Sequence, residues 1–455
     1  MAEIDSDYVL VLAMWLVVMG CILAKSWSRK SPVVGLTLAY AFDFWLIHWI
    51  AAAIQLFPWH EKLNLNETVL GFKITGYAIA GLAIGSMLIA PNLYRMLLPK
   101  MPQPIQREMG SDLARHWIIV GLIITFTPAA LLSRIPTLGA ILSGGLALAV
   151  AGFCLLWWVN WRAGRIFKSW LVAASSSITI TFDVVLRGFV ASSVSACISV
   201  ATFLLVRYRP RRTIVLGFVG CVLLGLSLYP NYMRMRGEIR LAVWGGQRIE
   251  QRVEVISSIT QEWEWFDTRQ DSHLEAIETR LNQNYLVGRA VQQIDCGNVA
   301  LANGETISMA FLALIPRAVW PGKPVLSGSG DYVARFTRLE FPSGTSVGIG
   351  NVLELFINFD RFGVLVGFIV IGTAIGFVDL IAGRYLMARD WHRFALWFVS
   401  GQPLLNVGGS FFGIVAAIPA YAILCIAVNR WTGVSSSQSR IRLVQPATKL
   451  HHGLS

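Results

Sequence analysis

Cysteine, charge and catalytic signatures are all scarce in this sequence, and each scarcity excludes a class of protein. Six cysteines occur in 455 residues. Cys21, Cys154, Cys197, Cys221 and Cys425 lie inside apolar runs and Cys296 in a polar stretch, so neither a disulfide framework nor a thiolate metal site has its ligands. No H-E-x-x-H, Walker loop or G-x-S-x-G occurs, which removes zincin, P-loop and α/β-hydrolase chemistry. No internal repeat is evident, so an inverted-repeat transporter gains no support. Charged residues make up 14% of the chain against 55% hydrophobic, and the mean hydropathy is +0.58; this balance excludes a water-soluble enzyme. The first apolar run follows Glu3, Asp5 and Asp7 and precedes Lys25, Arg29 and Lys30. A signal peptide has the opposite flanks, so this run reads as a retained span.

What the sequence does contain is long apolar runs. Crossing a hydrocarbon core about 30 Å thick takes roughly 20 apolar helical residues. That template matches eleven segments: 8–24, 33–57, 70–90, 116–133, 137–160, 168–184, 187–206, 213–230, 361–383, 393–409 and 411–429. The sixth and seventh are divided only by Asp183 and Arg187. With the N-terminus outside, the inward segments carry 21 Lys or Arg against Glu108, Asp112 and Asp390, whereas the short outward loops carry only Lys62, Arg134 and Arg187. Basic residues collect on the cytoplasmic side, so the net charge of +12 records topology and does not call for nucleic acid. The expected architecture is an all-α polytopic integral membrane protein of about eleven transmembrane helices, N-out and C-in. Residues 1–230 form an N-terminal membrane bundle of about eight spans, 231–345 a large outward loop domain, 346–430 a C-terminal bundle of about three spans, and 431–455 a basic, disordered cytoplasmic tail. The loop domain is nearly neutral, with 12 basic and 13 acidic residues. Its first half reads as helix from Arg248 to about Gln293, interrupted near Asp267; Trp263 and Trp265 suit either a helix lying on the outer membrane surface or a packed helical hairpin.

Pro316, Pro321, Gly322 and Pro324 break up the stretch 314–324. Their restricted backbone runs extended and presents Arg317, Trp320 and Lys323 from a rigid loop. A guanidinium grips phosphate oxygens bidentately and an ammonium adds a point charge, which suits a phosphate without a metal; contact with lipid headgroups is the plainer alternative. Glu354 and Asn358 are four residues apart and share a helix face at the outward end of the ninth span. A carboxylate in a partly dry site is a candidate general base for a sugar hydroxyl; alternatively it pairs with Arg361 or a loop arginine and holds the helix in place. Arg187 defies the inward bias and so is a candidate ligand, whereas Arg234 and Arg236 read as snorkelling anchors. Asp43 and His48 in the second span do not share a face, and pairing with other helices accounts for them better than a relay. Asp5 and Asp7 make a D-x-D, a metal-holding pattern that here rests on two terminal residues.

The Ile315-Pro316-Arg317 to Pro324 block is followed some thirty residues later by Glu354-x-x-x-Asn358-Phe359 and by glycine-rich final spans. The combination resembles the oligosaccharide repeat unit polymerases, the Wzy-type O-antigen polymerase family. The likeness is clearest over 280–370, where Arg280 and Gly304-Glu305-Thr306 also fit, and elsewhere rests on topology. It implies a membrane glycosyltransferase of O-antigen or exopolysaccharide synthesis at the outer face of the bacterial inner membrane. The substrates would be undecaprenyl pyrophosphate-linked oligosaccharides, joined with inversion and without metal or cofactor. Membrane lipids, a chain-length regulator and a flippase of the same pathway would be its partners, and nucleic acid would not. Charge building on the departing pyrophosphate must meet fixed cations, and the attacking hydroxyl must lose a proton. The resemblance assigns catalysis to Arg317 and Glu354 and substrate binding to Lys323, Arg187, Arg280, Trp320 and Asn358, with Asp331 and Glu305 as reserve acid or base. One departure is plain: the family usually continues the Asn-Phe with a glycine, where this chain has Asp360.

Two other classes are open. A ligase moving a finished glycan usually relies on an outward histidine, and only His60 and His273 answer. A flippase or transporter would need charges near the midplane and broken helices, and Asp43 and His48 are the only charges so placed.

Overall fold

The computed structural model describes residues 5–28, 31–62, 64–98, 110–127, 141–187, 190–208, 211–244, 251, 263–315, 320, 328–341 and 347–431. Every regular element among them is helical. In chain order these are α1 (Ser6–Ser26), α2 (Leu36–Ile54), α3 (Leu65–Ala83), a π-helical turn (Ile84–Ile89), α4 (Ala90–Leu97), α5 (Gly110–Phe126), α6 (Gly145–Arg162), α7 (Ile166–Arg187), α8 (Val190–Arg207) and α9 (Arg211–Trp244). Then follow α10 (Asp271–Leu281), α11 (Gln283–Asp295), α12 (Glu305–Leu312), α13 (Ser329–Thr337), α14 (Asn351–Met387), α15 (Trp391–Gly401) with a 3-10 turn (Gln402–Leu405), and α16 (Phe411–Trp431). Among the described residues, six helices are long and apolar enough to cross a membrane: Ser6–Ser26, Leu36–Ile54, Leu65–Leu97, Gly145–Arg162, Asn351–Met387 and Phe411–Trp431. Helices α5, α7, α8, α9 and α15 occupy the other segments read from the sequence as spans. The chain is thus an α-helical protein with the build of a membrane protein. The tail 432–455 lies outside the described residues.

Local sequence explains the element ends. Asp5 caps α1 by accepting from the Tyr8 amide (3.0 Å) and pairs with Lys73 (2.5 Å), so one half of the D-x-D is a helix cap. Asp379 reaches from α14 to the start of α2, where its carboxylate accepts from the amides of Val34 (2.7 Å), Gly35 (2.9 Å) and Thr37 (3.1 Å). These are the donors that a helix N-terminus leaves unsatisfied, so a buried acid closes a cap across two spans. Asp43 accepts from Ser195 of α8, and His48 exchanges hydrogen bonds with Asn284 of α11, the pairing with other helices expected of both.

Small residues set the helix crossings. In lipid there is no hydrophobic gain from helix pairing, so close backbone approach has to supply the contact. Gly81 and Gly85 of one segment meet Leu365 to Thr373 of α14, and Gly372 and Gly376 of α14 meet Leu82, Ser86 and Ala90 in return. A Cβ on Gly85 would fall 2.2 Å from the Ile369 carbonyl oxygen, and one on Gly372 would fall 2.7 Å from that of Leu82. The π-helical turn begins at this crossing. Outside the bundle, α11 lies on α3 just as closely, since a Cβ on Gly288 would sit 1.8 Å from the Glu67 carbonyl oxygen.

Two breaks matter most. The helix α14 is interrupted at Phe359 (φ −143°, ψ 17°) and Asp360 (φ 55°, ψ −162°). In a continuous helix Leu355 and Gly367 would stand about 18 Å apart along the axis. Instead the Leu355 side chain comes within 2.5 Å of where a Gly367 Cβ would be, so the short arm 351–358 folds back against the long arm 361–387. Glu354 and Asn358 therefore sit on this returning arm and not on the ninth span itself, a difference from the sequence reading. The second break follows α15. There 406–410 is non-helical and pairs with 347–350: the Gly350 and Asn351 amides donate to the carbonyls of Gly408 (3.2 Å) and Val407 (3.0 Å).

Candidate functional site

The folded-back arm brings Glu354 under the start of two other helices. Its carboxylate oxygen Oε2 accepts from the Phe411 amide at 2.8 Å, a first-turn donor of α16. The positive end of that helix therefore faces the carboxylate. Thr306, in the first turn of α12, also interacts with the Glu354 side chain. One turn on, Asn358 donates through Nδ2 to Thr306 Oγ1 (2.7 Å) and to the Glu354 carbonyl oxygen (2.6 Å). These two acceptors fix the amide orientation, and they leave Asn358 Oδ1 as a buried acceptor without a hydrogen bond among the described residues. Glu354 is 2% and Asn358 1% exposed. Arg361 does not pair with Glu354 but donates to Asp295 (3.3 Å), and Glu354 makes no ion pair among the described residues; the loop arginine Arg317 lies outside them.

A more open layer lies above it. Glu305 accepts from the Tyr332 hydroxyl (3.1 Å) and from Arg335 (2.9 Å), joining α12 to α13. Burial, then the charge of Glu305 and, more weakly, that of Glu354 push the Tyr332 phenol above its ordinary pKa. Glu305 thus belongs to the neighbourhood of Glu354, but it is engaged by an arginine. Asp331 is not part of the cluster. It caps α13, accepting from the Gly328 amide at 2.9 Å. Trp320 is exposed. Arg317 and Lys323 lie outside the described residues. Arg187 ends α7 and Arg280 sits in α10, both described in their backbone alone.

Sequence reasoning named Thr306 only within the Gly304-Glu305-Thr306 stretch, with no role, and missed Tyr332, Arg335, Gln283 and Phe411. The Gln283 side chain lies against Gly350, whose φ of 71° sets the start of the short arm, and near Gly408 on the other broken strand. Only the glycines in Gly348-x-Gly350 and Gly408-Gly409 hinted at two irregular segments, and nothing in the order of residues says that they meet.

The two histidines that the sequence reading places outward, His60 and His273, pair with carboxylates away from Glu354. His60 lies between Asp271 (Nδ1 to Oδ1, 2.6 Å) and Glu278 (Nε2 to Oε2, 2.6 Å). His273 accepts from the Asp267 amide (3.2 Å) and meets Glu264 (3.1 Å).

A family model described as a domain of unknown function (DUF8712) matches residues 93–378, a stretch that contains Glu305, Glu354, Asn358 and the proline block. No curated protein and no solved structure matches the chain.

Proposed function

The chain belongs to the family of the domain of unknown function DUF8712, and from that premise we propose that it is a membrane polysaccharide polymerase joining lipid pyrophosphate-linked oligosaccharide repeat units. The observation that carries the reading is Glu354, a carboxylate without a cationic partner among the described residues, held at the start of α16 and beside Asn358. In this role it takes the proton of the attacking sugar hydroxyl, and the leaving pyrophosphate meets Arg317 and Lys323 of the proline block, with Arg187, Arg280 and Trp320 in support. Because Glu354 is 2% exposed, the reading requires substrate to part the helix starts that cover it. The substrates would be undecaprenyl pyrophosphate-linked, the site would face outward from a bacterial inner membrane, and no metal or cofactor takes part. In the same reading the chain crosses eleven times, N-out and C-in, with 361–387 as the ninth crossing and α15 plus 406–410 as the tenth. Commitment of His60 and His273 to carboxylates disfavours a histidine-dependent ligase.

One observation favours a second reading. The paired irregular segments 347–350 and 406–410 resemble the discontinuous helices that line transporter sites. Product length separates the two. Arg317→Ala and Glu354→Gln should insert normally and abolish long chains while single repeat units are still attached. Long chains from both variants would remove the assigned site, and repeat units stranded on the cytoplasmic face would favour the transporter.

A further inference from the structure

Around Glu354 and Asn358 every donor is already used, and what remains is the capacity to accept. Asn358 gives one Nδ2 hydrogen to Thr306 Oγ1 (2.7 Å) and the other to the Glu354 carbonyl oxygen (2.6 Å). Thr306 has a single hydroxyl hydrogen, and with its oxygen accepting from Asn358 that hydrogen serves the Glu354 carboxylate. The Phe411 amide is spent on Glu354 Oε2 (2.8 Å). A flipped Asn358 carboxamide would turn Oδ1 onto the Glu354 carbonyl oxygen, so the network fixes the orientation. Oδ1 is thereby left as a buried acceptor with no hydrogen bond among the described residues, in a residue 1% exposed.

Buried polar groups are nearly always paired, so an unpaired one calls for a missing partner. That partner has to donate. The oxygens of an ionised pyrophosphate only accept, which excludes the charged end of the substrate from this position. A hydroxyl fits. Glu354 stands one turn before Asn358 on the same helix face, a spacing of about 5–6 Å between Cβ atoms, so neighbouring hydroxyls of one sugar ring reach both side chains. The Ala302 amide donates to the Ile357 carbonyl (2.7 Å), which ties the start of α12 to the short arm and keeps Thr306 against Asn358. A water would satisfy the same acceptors, and the experiment below separates the two sources.

We propose that Asn358 Oδ1 forms the acceptor-sugar subsite, accepting from a hydroxyl next to the one that Glu354 deprotonates. The proposal rests on the polymerase reading and divides its two substrate ends, with the acceptor sugar at Asn358 and the pyrophosphate outside this cluster. In the step, the acceptor hydroxyl passes its proton to Glu354 and its oxygen bonds to the anomeric carbon. The bond from that carbon to pyrophosphate breaks, and its electron pair leaves with the pyrophosphate. The hydroxyl held by Asn358 does not react; it sets the position of its neighbour.

The test uses the full chain in lipid nanodiscs with lipid-linked repeat units extracted from cells lacking this gene, and mass spectrometry counts joined against hydrolysed units. Asn358→Ala should lower the ratio of joining to hydrolysis about two- to tenfold, the weight of one neutral hydrogen bond, because acceptor occupancy falls while water stays in excess. Inorganic pyrophosphate should inhibit wild type and Asn358→Ala alike. Should Asn358→Ala fail to fold, Thr306→Val decides: it keeps the side-chain shape, releases the carboxamide and should lower the same ratio, whereas Thr306→Ser should keep it. Joining and hydrolysis falling together, with the ratio unchanged, would mean that Oδ1 holds a water or only braces the arm. Weaker pyrophosphate inhibition in Asn358→Ala would place the leaving group here, and either result overturns the proposal. Glu354→Gln separates the two levels. Long chains from that variant remove the polymerase reading and the subsite with it, whereas an inactive Glu354→Gln beside an unchanged ratio in Asn358→Ala removes the subsite alone.

Discussion

The Leu355 side chain occupies the space that a Cβ on Gly367 would need, 2.5 Å away, although twelve residues separate them in the chain. That contact is what makes one apolar stretch into two arms. It places Glu354 beside α12 and α16 instead of on the surface of a continuous span.

Enlarging Gly367 should therefore prise the arms apart. Gly367→Leu is expected to lower stability by about 1–3 kcal/mol, the usual cost of overpacking, and to reduce long-chain product. Thermal unfolding in detergent checks the first effect; a melting temperature equal to wild type would contradict the reversal.

Asp360 has φ 55° and ψ −162°, a region that essentially only glycine occupies without strain, at about 1–3 kcal/mol for other residues. The glycine usual after Asn-Phe in the resembled polymerases fits this conformation. Asp360→Gly should raise the melting temperature, by the relieved strain less about 0.4–1 kcal/mol of added unfolded-state entropy. Asp360→Val should lower it, and equal effects from both would show that the turn is unstrained.

His60 predicts a pH dependence of stability. Burial lowers its pKa, but hydrogen bonds to Asp271 and Glu278 outweigh this and hold it above the ordinary 6.5. Its contribution is thus complete below 6.5 and disappears as pH rises through the raised folded value. Asp271, held below 3.8 chiefly by the hydrogen bond to His60, contributes above 3.8 and is lost as pH falls through its lowered value. Stability should therefore plateau in mildly acidic buffer and decline on the alkaline side. His60→Ala should cost about 3 kcal/mol by leaving Glu278 half-paired and should flatten that decline. Parallel melting curves for wild type and variant between about pH 6 and 9 would refute the linkage.

Gly85 and Gly372 test the crossing of α3 and α14. Gly85→Leu would drive a side chain into the Ile369 carbonyl, whose oxygen is 2.2 Å from the Cβ position, and should destabilise more than Gly20→Leu, where nothing lies within 4 Å. The ratio of folded protein recovered from membranes for the two variants measures the difference.

Apolar runs, their spacing and the side on which lysines and arginines collect are properties of the chain order. An all-helical chain with membrane-crossing helices was legible for that reason, since a helix satisfies its own backbone and needs no distant partner. Glu354 and Asn358 were legible as a pair because helical spacing of four is local. Their partners were not. Thr306 and Phe411 are 48 and 57 residues away from Glu354, and Tyr332 and Arg335 join the cluster through hydrogen bonds to Glu305. Only the tertiary structure brings them together, by reversing the chain at Asp360 and pairing 347–350 with 406–410. The physical reason is that a charge pattern is read one residue at a time, whereas a dry carboxylate is made by whatever the fold packs around it.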